Sequence, residues 1–264
     1  PRPPPPYSSA ASDVYKRQYN ASAPLREEAR EAMVHAMALA GNPSSVHADG
    51  RQARAIVETA RQQVAAALGA QGADVIFTSG ATEAAGLALN GRGIRCADIE
   101  HEAVSSWCQR DLSCGLDGGV ACEAPESTAL QLANSETGIL QQLPEGLALC
   151  DMTQAFGKLP VAFHWSGATM ALVSAHKIGG PKGVGALIVK SGTEVAAQIK
   201  GGGQEMGRRS GTENVIGIAG FGAAAEAAQR DLADGVWEQV EKLRNILEKE
   251  VAQSTSQTIF VGQG

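Results

Sequence analysis

Lys177 is the residue of this chain best placed to act as a nucleophilic amine. It lies between two short, β-branched apolar runs, at 170–173 and 184–189, that read as buried strands. Ser174 and His176 precede it, and a loop holding Gly179, Gly180, Pro181, Gly183 and Gly185 follows. An amine at the mouth of an apolar strand loses some preference for its charged form and can form a Schiff base. A second apolar run, at 147–150, ends in Asp151, Thr153 and Gln154, so a carboxylate stands at another strand end 26 residues before the lysine. A third run, at 75–78, leads into Ser79, Gly80, Ala81, Thr82 and Glu83. There a glycine turn opens onto helix-forming residues and presents free backbone N–H groups where a phosphate can dock. A single lysine at a strand end is ordinarily a solvated surface group. Amine, carboxylate and phosphate seat together are the parts of a pyridoxal 5′-phosphate site, in which the carboxylate keeps the ring nitrogen protonated.

The elements that must carry these residues alternate along the chain. Residues 24–40 read as a helix with proline in the first turn and Glu27, Glu28 and Glu31 near its start. His47 or Asp49 caps a longer helix running to Leu68, stopped by Gly69. Strands are expected at 75–78, 96–99, 129–133, 147–150, 170–173 and 184–189, and helices at 82–89, 103–110, 215–233 and 236–251. In the last of these, Val240, Leu243, Leu247 and Val251 form one stripe, expected to pack within the domain, and a further strand starts at 258. Only 13 residues, 134–146, join the strand ending at Ala133 to the one starting at Leu147. A parallel crossover ordinarily needs about a dozen or more, usually with a helix. The segment 112–127 is similarly brief. The alternation of strands and helices reads as an α/β fold class.

With 264 residues, 44% of them hydrophobic but only 4% aromatic, the core must rest on Ala, Val, Leu and Ile in close packing. The net charge of −6 argues against nucleic acid or an anionic membrane as partner. No apolar run approaches the ~20 residues of a membrane span, nor is there a secretory apolar region. The five cysteines lack metal-ligand or disulfide-framework spacing, which favours reduced thiols, a cytoplasmic location and no metal site. Dinucleotide, P-loop, zinc-protease and serine-hydrolase motifs are absent. Residues 1–18 open with a proline run, have no apolar period and read as a non-native leader outside the fold.

Eight motifs then appear in one order: NASAPL (20–25), GNPSSVH (41–47), FTSGATE (77–83), EHEAV (100–104), NSETG (134–138), DMTQ (151–154), SAHKIGGPKG (174–183) and GGGQEMGRRSGTEN (201–214). In these the chain resembles the cysteine desulfurases, in the class V aminotransferase group of fold-type I pyridoxal-phosphate enzymes. The resemblance implies a three-layer α/β/α fold around a mainly parallel sheet, forming a pyridoxal-phosphate-binding large domain over 19–234. It also implies the start of a small C-terminal domain, mostly missing, over 235–264. It implies that Lys177 binds the cofactor aldehyde and later moves the substrate proton, Asp151 pairs with the ring nitrogen, and Gln154 donates to the ring hydroxyl. Ala81, Thr82, Ser174 and His176 would hold the phosphate, joined by Thr212 from the other subunit of a homodimer. His101 would stack on the ring and move protons, and Asn134 would position it. Met152 stands where the family has a small residue, so crowding of the cofactor is expected there.

The implied activity is conversion of an amino acid, L-cysteine, to L-alanine. Its sulfur passes to an acceptor or scaffold protein for iron–sulfur cluster or other sulfur-cofactor assembly. That chemistry needs a cysteine on a mobile loop and an arginine for the substrate carboxylate. Neither has a match in these 264 residues, so the chain as written is expected to release little or no sulfur. A class V relative performing transamination or β-elimination, or a non-catalytic dimerising fragment, would share the same Lys177 and Asp151.

Overall fold

The structure is a computed structural model that describes residues 19–255 and 258–260. The expected leader at 1–18 lies outside the described residues. Helices α1 (Glu27–Met37) and α2 (Ala48–Ala67) come first, followed by β1 (Asp74–Thr78) and α3 (Ala81–Leu89). Next are β2 (Arg95–Ala97), a single turn α4 (Glu102–Ser105), β3 (Gln109–Leu112), β4 (Ala129–Gln131) and β5 (Leu149–Asp151). The chain continues with β6 (Met170–Ser174), β7 (Gly185–Val189), α5 (Val215–Ala233) and α6 (Val236–Ser254).

Five strands form one sheet in the order β1-β7-β6-β5-β4. β4, β5 and β6 pair parallel, while β7 is antiparallel to both β6 and β1, so four strands share one direction and β7 opposes them. A bridge from Arg95 to Thr128 joins the parallel β2–β3 pair to the outer side of β4. Because successive side chains point to opposite faces, one set of strand residues (Val75, Phe77, Ala171, Val173, Ala186, Ile188) meets the faces of α2 and α5. The alternate set (Ile76, Met170, Leu172, Leu187, Val189) meets α3. The central strands are covered on both sides, which is why their sequences read as continuous apolar runs. This is the α/β/α arrangement expected, with a mainly parallel sheet.

The helix expected at 103–110 is the main misreading. Only Glu102–Ser105 is helical, and Gln109–Leu112 forms a strand. Gln109 N–H bonds to Ile94 O at 2.8 Å, so pairing with β2 overrides a local helical pattern. The 13-residue link from β4 towards β5 contains no helix: Ala133 bridges Leu140, Gln141 N–H returns to Leu132 O, and β4 still pairs parallel with β5. His47 caps α2, its Nδ1 accepting from Gly50 N–H at 3.3 Å. Helix α6 buries none of its residues, and Val240, Leu243 and Leu247 are exposed, against the expectation of packing within the domain. Trp237 Nε1–H anchors it, donating to Gly157 O at 2.8 Å. The strand expected from 258 is irregular over 258–260, and its remainder lies outside the described residues.

Candidate active site

The C-terminal ends of β1, β5 and β6 open on one cavity of about 550 Å³, a size suited to a small cofactor. Ala81, Thr82, His101, Asp151, Gln154, Ser174, His176 and Lys177 all line it. Asn134 and Thr212 do not, although Ala133 and Ser135 on either side of Asn134 do. Asn134 is buried and spent on the backbone: its Nδ2 donates to Ile99 O at 3.1 Å and its Oδ1 accepts from the Glu136 and Thr137 N–H groups, both at 2.9 Å. Thr212 is exposed on the loop before α5.

Lys177 closes a 3₁₀ turn, Ala175–Lys177, that directly follows β6. Its Nζ donates to Asn20 O at 2.8 Å and to Ala21 O at 3.1 Å. Burial lowers its amine below the ordinary lysine value, while the charges of Asp151 and Glu136 work in the opposite sense. Asp151 ends β5; burial raises its carboxyl, opposed by the Thr153 N–H, which it accepts at 2.8 Å, and by the nearby charges of His101 and Lys177. Amine and carboxyl therefore line one cavity and act on each other's charge. Met152, next in sequence, points the other way: it is fully buried in the core with Phe156 and Phe163 and does not line the cavity. Strand alternation removes the crowding expected of it.

The start of α3 is where the sequence reading expects the phosphate. Gly80 at its N-cap offers no side-chain cap, leaving the first-turn N–H groups for another acceptor. Ser79 N–H is taken by Glu83 Oε2 at 2.8 Å. Gly185 on β7 is required beneath this turn: a Cβ there would stand 2.7 Å from Gly80 Cα and 2.6 Å from Val173 O. His176 Nδ1 sits 3.3 Å from Ser22 Oγ, and burial together with Lys177, Lys182 and Lys158 lowers its imidazole pKa. His101 caps α4, its Nδ1 accepting from Ala103 N–H at 3.1 Å, so its Nε2 is the nitrogen left for the cavity.

Several contributors escaped the sequence reading. Asn20 belongs to a motif but carried no assigned task, yet its carbonyl accepts from Lys177 and, at 3.2 Å, from Gln154 Nε2. Thr153 Oγ1 is buried at the cavity wall, where its hydroxyl, beside the Asp151 carboxyl, helps hold that group's pKa down. The loop before α5 is fixed to the seat by Arg209, whose Nε donates to Glu83 Oε1 at 2.9 Å, and to β1 by Arg208 on Asp74 at 2.7 Å. Deeper in the same loop, buried Glu205 accepts from Arg61 at 2.7 and 3.1 Å and from Phe77 N–H at 3.1 Å. The signal for these pairs is charge inside a glycine-rich stretch, which reads equally well as solvated.

Behind the site, buried Glu100 accepts Gln131 N–H at 2.9 Å with Oε1, while Oε2 has no partner. Burial pushes its carboxyl from 4.5 up to about 8, against the Gln131 bond. Below 4.5 both folded and unfolded chains hold this proton; between there and about 8 only the folded chain does. Ionisation thus favours the unfolded chain, and stability falls by about 1.4 kcal/mol per pH unit across that window from this group alone. Glu100→Gln is expected to flatten the fall, as read by urea midpoints at both ends of the window. An unchanged slope would contradict the neutral carboxyl.

The residues fit pyridoxal 5′-phosphate: an uncapped helix start for the phosphate, and a carboxyl and an amine lining one cavity. The Aminotransferase class-V family model matches residues 18–111 and 123–263. A cysteine desulfurase of Frankia sp. (strain EuIK1) is 41% identical over 238 residues, covering 73% of this chain and 57% of that protein. Cysteine desulfurase IscS of Dictyoglomus turgidum is 34% identical over 280 residues, covering 92% of this chain and 71% of its own length. The chain thus spans little more than half of the first relative's length. Among solved structures, a NifS-like protein from Rickettsia africae ESF-5 superposes with TM-score 0.86 at 31% identity, covering 93% of this chain and 77% of that one. SspA in complex with cysteine gives TM-score 0.72 at 29% identity, covering 79% and 71%. The order of its motifs, the cavity that six of the eight line and these matches make this chain a member of the pyridoxal-phosphate-dependent class V aminotransferase family, within its cysteine desulfurases.

Proposed function

We propose that this chain carries the cofactor-binding half of a cysteine desulfurase, acting on L-cysteine to leave L-alanine, and that the unit over 19–234 is its large domain. One observation carries the reading: Lys177, Asp151 and the uncapped start of α3 converge on one cavity. Pyridoxal phosphate, when bound, supplies an electron sink for charge developing on the substrate α-carbon.

The chain's own residues do the rest. Lys177 offers the amine that holds the aldehyde, and its lowered pKa leaves more of it neutral at a given pH than an ordinary lysine. The same amine would be the group that takes and returns the substrate's α-proton. Asp151 holds a proton on the ring nitrogen, and the Thr153 N–H keeps its carboxyl oriented. Ala81 and Thr82 N–H groups, Ser174 and His176 receive the phosphate. His101 presents Nε2 to the cavity as a stacking and proton-carrying group. Gln154 supplies its Nε2–H to the ring hydroxyl. Asn134 acts indirectly, holding the loop beside Ser135 against Ile99 O.

Thr212 would serve the neighbouring subunit's phosphate in a homodimer, its loop being rigidly held by Arg209 and Glu205. Sulfur would leave towards an acceptor or scaffold protein. Among the described residues no cysteine lines the cavity, and the 264-residue chain is expected to take up pyridoxal phosphate yet release little or no sulfide from L-cysteine. The check is a cofactor titration by absorbance beside a sulfide and alanine assay. Steady alanine formation would contradict the assigned division of labour; absence of any cofactor band would contradict the site itself.

A further inference from the structure

We propose that Lys158 is a positioning residue for this site, acting through Gln154 and Asn20 without touching cofactor or substrate. The inference rests on the cofactor site proposed above and extends it to a residue that does not line the main cavity. Lys158 lies four residues after Gln154, beside a neighbouring cavity of about 410 Å³ that it shares with Asn20, Lys177 and Trp237. Its Nζ donates to Gln154 Oε1 at 2.7 Å and to Asn20 Oδ1 at 3.1 Å.

Two consequences follow from donor and acceptor counting. An amide has one acceptor oxygen and one donor nitrogen, and an ammonium can bond only the oxygen. With Oε1 held by a charge-assisted bond, the Gln154 amide cannot flip without setting its NH2 against the Lys158 ammonium. Nε2 is therefore the atom left for Asn20 O, at 3.2 Å, and for the main cavity that Gln154 lines. Asn20 is fixed on both sides as well: Oδ1 by Lys158, and Nδ2 by donation to Ser135 O at 2.8 Å. Its main-chain carbonyl, so held, receives Lys177 Nζ. One amine outside the main cavity thus sets the direction of one site amide and the place of the carbonyl on the nucleophile. Burial and the charge of Lys177 bring the Lys158 amine down to about 8, so a cation is kept here at an electrostatic cost that a solvated surface lysine does not carry.

The test is a pyridoxal-phosphate titration of the 264-residue chain, read by absorbance maximum and affinity. It compares the unaltered protein with Lys158→Met, Lys158→Arg, Gln154→Ala and the Lys158→Met/Gln154→Ala double variant. Lys158→Met, which keeps the apolar stem and removes the donors, is expected to shift the band and weaken binding about tenfold. Lys158→Arg should restore both. The double variant should show no larger shift than Gln154→Ala alone, because residues acting through one contact are not additive. A Lys158→Met protein with unmoved band and affinity, or effects that add to those of Gln154→Ala, would overturn the inference while leaving the cofactor site standing. An unaltered protein that forms no band overturns both. Should Lys158→Met not fold, as judged by thermal unfolding without cofactor, Lys158→Gln carries the same comparison and the same outcomes.

Discussion

Lys177→Ala abolishes covalent capture of pyridoxal phosphate. The substitution removes the amine that reaches into the cavity and leaves the rest of the wall in place, including the first turn of α3, Asp151 and Ser174. The Asn20 carbonyl keeps Gln154 Nε2 as donor, and the Ala21 carbonyl lies on an exposed segment where water replaces the amine, so the fold is expected to survive. The phosphate seat still offers a weak noncovalent hold. The measured result should be complete loss of the cofactor absorbance that borohydride bleaches and fixes, with little change in thermal unfolding of the free protein. Retention of a fixed adduct in Lys177→Ala would move the reacting amine elsewhere, and Lys158 and Lys182 are the lysines nearest in the site's surroundings.

The second large effect is on stability. Glu205 is 6% exposed and its carboxylate holds three donors: two from Arg61 and the N–H of Phe77 in β1. The Arg61 guanidinium also lies over the Phe77 ring, 4.9 Å from its centroid. Glu205 and Met206 both sit in the left-handed region, at φ 48° and 57°, a conformation that non-glycine residues hold only when their surroundings fix it. Glu205→Ala leaves a half-buried guanidinium short of its partner, an unpaired strand N–H and a loop without its anchor. Breaking such a pair costs roughly 3–5 kcal/mol, which for a chain of this length lowers the thermal midpoint by on the order of 10 °C. Because the strand concerned leads into Ser79 and Gly80, pyridoxal-phosphate affinity should fall with it. A shift within a degree or two would mean that Glu58 and the Val75 carbonyl, both within reach of Arg61, satisfy it unaided.

How far the sequence discloses this molecule depends on the kind of interaction. Strands covered on both faces announce themselves as apolar runs, and β1, β6 and β7 lie within a residue of the runs that predict them. Helix α5 coincides with its expected span, since Asn214 caps it, its Oδ1 accepting from Gly217 N–H at 3.0 Å. The edge was less legible: β3 is polar and exposed, and only its partner β2 makes it a strand. Helix α6 shows the opposite error, an amphipathic pattern whose apolar stripe nothing among the described residues covers. At the site, residue types gave the amine, carboxyl and phosphate seat. The second layer, Asn20, Lys158 and Glu205, depends on contacts across more than a hundred residues of chain, which no local spacing encodes.

One measurement bears on the central claim most directly. The unaltered chain is mixed with pyridoxal phosphate, reduced with borohydride and digested, and the peptides are mapped by mass spectrometry. Lys177 should carry the phosphopyridoxyl group, in near-stoichiometric yield, with the other lysines unmodified. Modification spread over surface lysines with Lys177 free would show that amine, carboxyl and helix start do not form one site.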